Sequence, residues 1–167
     1  TNNAGAALSG AMTVSDNAST AVAATDLSTI GGATTGTVTV TNAVAISGTA
    51  AEVKAALVTT TSKVEVTAAT VTISDNAGTT IAATDLSAIG GETTGTVTVT
   101  NAVAISGTAA EVKAALVTTT SKVEVTAATV TISDNAGTTI AATDLSAIGG
   151  ETSGTVTVTN AINVTGT

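Results

Sequence analysis

An internal repeat constrains this chain more than any other feature. Gly36–Thr94 and Gly95–Ser153 match at 58 of 59 positions; the one difference is Thr94 against Ser153. A weaker copy of the unit's second half precedes them at Ala4–Thr35, and the opening of another copy follows at Gly154–Thr167. Self-similarity at a fixed period marks an array in which one unit cannot bury its own apolar face but stacked units can.

The unit is itself double. Its first half is Gly36–Ser62 and its second, slightly longer half is Lys63–Thr94. Each half runs in the same order. An alternating segment comes first (Val38 and Val40; Val64 and Val66), then a small-residue corner (Asn42-Ala43; Ala68-Ala69). A second alternating segment follows (Val44 and Ile46; Val71 and Ile73), then a loop and a short helical pattern. Period-two alternation of β-branched residues predicts strands, with Val on one face and Thr on the other. A second alignment, which lays Val38-Thr39-Val40 on Val71-Thr72-Ile73 and Glu52-Val53 on Asp85-Leu86, fits the halves as well. The strand pairing is therefore left open.

The helices are predicted from caps and spacing. Thr49-Ala-Ala-Glu52 and Thr108-Ala-Ala-Glu111 fit a capping box, after which Val53, Ala56 and Leu57 share a face. In the other half Ala82, Leu86 and Ile89 share a face, and Gly90-Gly91 is expected to stop the helix. Helices of two to three turns are not stable alone and need packing to hold them.

The expected fold is a repeat solenoid: β-rich coils of parallel stacked strands with a short helix per coil. Each repeated strand is expected to continue as a parallel sheet along the long axis. The coils are Ala4–Thr35, Gly36–Ser62, Lys63–Thr94, Gly95–Ser121 and Lys122–Ser153, with a partial coil at Gly154–Thr167. The positive mean hydropathy and the absence of Pro argue against low-complexity disorder. Both ends diverge from the repeat, and an open last coil would present unpaired backbone as a template for another. The expected partner is the chain itself or adjacent repeats, end to end. Because the chain starts with Thr, it is expected to be a processed chain or an excised segment.

Composition then removes whole classes of chemistry. The chain has no His and no Cys, so it has no imidazole or thiolate to act as base, nucleophile or soft metal ligand. It has no Phe, Tyr or Trp, and so no stacking platform for bases or sugars. A net charge of −8 with four lysines makes nucleic acid a poor partner. No apolar run approaches the roughly 18 residues of a membrane span. An enzyme is not expected, and no cofactor other than calcium comes into question.

Asp16, Asp75 and Asp134 are the metal candidates. They stand in Ser-Asp-Asn corners that recur at the repeat spacing, where oxygen ligands would suit Ca²⁺. The competing reading is that Asp and Asn simply form the turn; the GGxGxDxUx calcium pattern is absent. Asp26, Asp85, Asp144, Glu52 and Glu111 sit near helix starts, as dipole complementarity would place them. Lys63 and Glu65, like Lys122 and Glu124, are two apart and are expected to pair on a strand's outer face. Thr37, Thr39 and Thr41 recur at Thr96, Thr98, Thr100 and at Thr155, Thr157, Thr159. Such a T-x-T array resembles ice-binding β-solenoids, although Val64-Glu65-Val66 would place a charge in every other rung. Asn17-Ala18-Ser19 and Asn163-Val164-Thr165 match the N-glycosylation sequon, at a frequency expected by chance in so Asn- and Thr-rich a chain.

The strings TTGTVTVTNAVAISGTAAEVKAAL and ISDNAGTTIAATDLSAIGG resemble repeats of very large secreted or cell-surface proteins of bacteria, notably marine cyanobacteria. Those giants often sit beside haemolysin-type calcium repeats and use leaderless secretion. The resemblance covers nearly the whole chain. It implies an extracellular or cell-surface stalk or adhesin segment and carries over no catalytic residue.

Overall fold

The computed structural model of the chain describes residues 7–166. The start of the first expected coil (4–6) and the last residue of the partial one, Thr167, lie outside the described residues. The elements alternate strands with short helices in a regular order. First come β1 (Met12–Val14), β2 (Ala21–Ala23) and α1 (Ala24–Gly32), then β3 (Val38–Val40), β4 (Ala45–Gly48) and α2 (Ala50–Leu57). Next are β5 (Val64–Val66), β6 (Thr70–Ile73), β7 (Thr80–Ala82) and α3 (Ala83–Gly91). Then come β8 (Val97–Val99), β9 (Ala104–Gly107) and α4 (Ala109–Val112), which runs on into a π-helical turn at Lys113–Val117. Last are β10 (Val123–Val125), β11 (Thr129–Ile132), β12 (Thr139–Ala141), α5 (Ala142–Gly150), β13 (Val156–Val158) and β14 (Asn163–Thr165).

The longer half of the unit thus carries a third strand that the sequence reading placed in a loop. β7 and β12 are each Thr-Ile-Ala, with a single large apolar residue and no second one two positions on to mark an alternation. Each passes directly into the helix behind it.

All strand pairs are parallel, and each pair joins strands of successive half-units, as in Val22↔Ile46, Ile46↔Val71 and Val71↔Val97. The strands form four separate sheets, ordered β1-β3-β5, β10-β8-β6-β4-β2, β13-β11-β9-β7 and β12-β14. Equivalent strands therefore do not share one sheet, contrary to expectation. The cause is the third strand. β5 and β10 are the last strands of their sheets, while β7 and β12 open new ones. Each repeat unit thus shifts the sheets by one position.

Both alignments left open by the sequence are used. Within a unit, Val38 pairs with Val64, the first alternating segment of one half against that of the other. Across the unit boundary, Val71 pairs with Val97, which is the counterpart of Val38 in the next copy. The second pairing is therefore the alternative alignment, Val38 on Val71, carried one copy forward.

The core lies between strands and helices and consists of Ala, Val, Ile and Leu. Inward positions stack along the ladder, as Ile46, Val71, Val97 and Val123 do. The helices contact one another in chain order, α1 against α2 through to α4 against α5. The capping boxes form as expected. The Thr49 side chain accepts from Glu52 N, and the Glu52 carboxylate accepts from Thr49 N at 2.8 Å, with the same pair at Thr108 and Glu111. The last turns of these two helices widen alike: Thr59 N donates to Lys54 O and Thr118 N to Lys113 O, both at 3.0 Å.

α3 ends at Gly91, as the glycine pair led one to expect, with Glu92 as C-cap in right-handed geometry, so Gly90 itself is still helical. Its need for glycine comes from the next segment, because a Cβ there would sit 1.7 Å from Ser121 O. Ala82 is the exposed N-cap of α3 and lies off the helix's buried face, which Leu86 and Ile89 supply.

Candidate functional site

The Asp corners and the helix starts meet in space. Asp75, in the turn after β6, accepts from Ala50 N, the first backbone donor of α2, at 2.6 Å. Asp134 does the same for Ala109 N of α4 at 2.7 Å. The carboxylate lies at the positive end of the helix dipole and satisfies a donor that the capping box leaves free. Asp75 is 9% exposed, so this contact occupies a buried charge. The turn is held from the other side too. Asn101 Nδ2 donates to Asp75 O, Asn160 Nδ2 to Asp134 O and Asn42 Nδ2 to Asp16 O, each at 2.7 Å. Gly78 N and Gly137 N donate to Ala102 O and Ala161 O, and both glycines have φ near +80°. Ser19 holds the same place in the first copy with φ +64°.

The three metal candidates thus occupy equivalent corners, and the structure brings each of Asp75 and Asp134 to a helix N-terminus. Asp16 is exposed, and no helix precedes it among the described residues. No group of three or more acidic side chains able to hold a metal ion occurs among the described residues.

The remaining charges sort differently from expectation. Lys63 and Lys122 adopt φ of 53° and 55° and stand just outside β5 and β10, so strand alternation does not carry them to Glu65 and Glu124. Lys63 Nζ donates instead to Thr61 O at 2.9 Å. The ion pairs among the described residues are Lys54–Asp85 and Lys113–Asp144, both at 2.5 Å, joining adjacent helices. Their partners are far apart in sequence, and only the stacked helix row makes the separation short.

The threonine array does not assemble. Thr39, Thr98 and Thr157 are exposed, but they lie on β3, β8 and β13 in three different sheets. Along one sheet the outward row reads Ala23, Ser47, Thr72, Thr98 and Glu124. The shift introduced by β7 and β12 breaks what the sequence repeats.

A shallow cleft recurs in successive copies, lined by Thr59, Lys63, Glu65 and Glu92 in one. Its equivalent has Thr118, Lys122, Glu124 and Glu151. A third cleft contains Lys113 and Asp144, already paired with each other. The chain brings no imidazole or thiol to any of these clefts. No helix among the described residues is long and apolar enough to cross a membrane. No protein-family model matches the sequence, and comparison with curated proteins and with solved structures gives no match either.

Proposed function

We propose that the chain is a structural repeat module of an extracellular or cell-surface stalk, adhesin or filament. Its coils would close into a solenoid and meet adjacent repeats or other copies end to end. In this role it performs no chemistry; it holds one end of a larger assembly at a fixed distance from the other. The observation that supports the reading is the parallel pairing of strands from successive half-units, which recurs in each of the four sheets between Met12 and Thr165. Such a ladder resists extension because each segment is bonded to the next along the axis. Near-identical copies suit adjustment of length. The side chains at the recurring corners are spent on joining segments, as Asp75 with Ala50 N and Asn101 with Asp75 O illustrate.

Small-angle scattering of the full chain tests this. An elongated rod whose cross-section stays constant along its length is expected, and a compact sphere would overturn the reading. A melting temperature unchanged by EDTA is also expected, because the Asp75 and Asp134 carboxylates already hold helix donors. A clear drop would restore the calcium reading.

A further inference from the structure

The two N-glycosylation sequons of the sequence meet different fates in the fold. Asn163-Val164-Thr165 forms β14. Asn163 Nδ2 donates to Gly137 O at 3.0 Å, and the backbone N of the same residue donates to Thr138 O at 2.8 Å. The amide nitrogen that a sugar would join is therefore bonded to the neighbouring segment. Asn17-Ala18-Ser19 lies instead in a turn between β1 and β2, closed by Thr20 N donating to Asn17 O at 3.0 Å. All three of its residues are exposed. The side-chain hydrogen bonds at this corner come from Asn42, which donates to Ser15 O and Asp16 O, and they use neither the Asn17 carboxamide nor the Ser19 hydroxyl.

The same turn recurs at Asn76-Ala77-Gly78 and Asn135-Ala136-Gly137, closed by Thr79 N and Thr138 N. Asn76 and Asn135 are exposed as well, so exposure belongs to the corner and not to the place of a copy in the array. The copies differ at the third position. Gly78 and Gly137 have φ of 79° and 82°, and Ser19 holds φ of 64° there. Ser19 N donates to Ala43 O just as Gly78 N donates to Ala102 O, so the backbone is unchanged. A Cβ is disfavoured in this left-handed region, which makes serine the worse residue for the turn. No hydrogen bond from its hydroxyl offsets that. What the serine adds is the hydroxyl position of a sequon, which the glycine copies lack.

We propose that Asn17 is an acceptor for N-linked glycosylation, presented by the turn and completed by Ser19. The co-substrate is a sugar activated as its nucleotide diphosphate. The Asn17 amide nitrogen attacks the anomeric carbon. A carbon–nitrogen bond forms, the carbon–oxygen bond to the diphosphate breaks, and the nucleoside diphosphate leaves with the bonding pair. The amide proton passes to solvent, and nothing is oxidised or reduced. The inference needs only the turn and goes beyond the stalk reading without resting on it.

The folded full chain, UDP-glucose and a soluble N-glycosyltransferase active on sequon peptides test this by intact mass and peptide mapping. One added hexose on Asn17, with Asn163 unmodified, is expected. Ser19→Gly should abolish the addition and raise the melting temperature. Gly78→Ser should give two hexoses, the second on Asn76. A folded chain that gains no hexose would overturn the proposal. So would addition at Asn163 as fast as at Asn17, or a Gly78→Ser chain that still gains only one. A Ser19→Gly chain that melts lower would show that the serine serves the fold, and would overturn it too. Rod-like or compact scattering moves none of these readouts, so the stalk reading stands or falls separately.

Discussion

α3 and α5 have the same sequence, ATDLSAIGG, and different surroundings. In α3, Ala83, Leu86, Ile89 and Gly90 are all buried. In α5 only Ile148 is buried, Leu145 is half-covered, and Ala142 and Gly149 are exposed. The first helix of this type, α1, shows the reverse. Its Leu27 and Gly31 are buried, and Ile30, the counterpart of Ile148, is half-exposed. Leu and the first Gly therefore face the following helix, and Ile faces the preceding one. A residue's weight in this molecule is set by whether the next segment is present and not by the local sequence.

The leucines should separate the two helices most. Leu86→Ala removes a fully buried side chain between two helices and should cost about 3 kcal/mol. Leu145→Ala removes one that is half-wet and should cost about 1 kcal/mol. Urea midpoints of the two variants give the comparison directly; equal losses would mean that α5 is covered in solution.

The glycines should differ in sign. A Cβ at Gly90 meets Ser121 O at 1.7 Å, a backbone atom that cannot rotate away, whereas Gly149 has nothing within 4 Å. Gly90→Ala should destabilise by about 2–3 kcal/mol through forced separation of the segments. Gly149→Ala should stabilise α5 by up to about 1 kcal/mol, because alanine is the better helix former. Thermal unfolding of the pair checks this, and a stabilised Gly90→Ala would contradict the close approach.

Much of this organisation was legible in the sequence. The repeat period, the alternating Val positions, the capping box at Thr49 and Glu52 and the Asn42 corner all reappear as structural elements. Features created by stacking were not legible. Ala50 N and Asp75 belong to successive half-units, as do Lys54 and Asp85, so no local pattern announces either contact. β7 escaped because its Thr-Ile-Ala holds one large apolar residue, where β3 and β5, equally short, hold two valines at period two. That omission had the widest consequence, since the extra strand moves Thr39, Thr98 and Thr157 into separate sheets. The glycine pair marked the end of α3 correctly, but the second demand on Gly90 comes from Ser121, in the next half-unit, and no local pattern announces it.

The Asp corners offer a finer version of the same contrast. Asp75→Ala leaves Ala50 N–H without its acceptor at a buried helix start and should cost about 1–2 kcal/mol. Asp16→Ala, at the exposed corner with no helix before it among the described residues, should change stability by less than about 0.5 kcal/mol. Amide exchange sharpens the test. Loss of Asp75 should speed exchange in the first turn of α2 and leave α4, capped by Asp134, as protected as before.

The smallest effect concerns the ion pairs between helices. Lys54 and Asp85 are 42% and 32% exposed, so solvent screens them, and a double-mutant cycle should give coupling of about 0.2–1 kcal/mol. The same cycle on Lys63 and Glu65 should give about zero, since Lys63 turns to Thr61 O. Raising NaCl from about 0.01 to about 1 M should erase the first coupling and leave the second unchanged, because screening acts only where an attraction exists. Coupling between Lys63 and Glu65 that disappears in salt would show that the left-handed turn at Lys63 opens in solution. Strand alternation would then reach one residue further than the folded ladder allows.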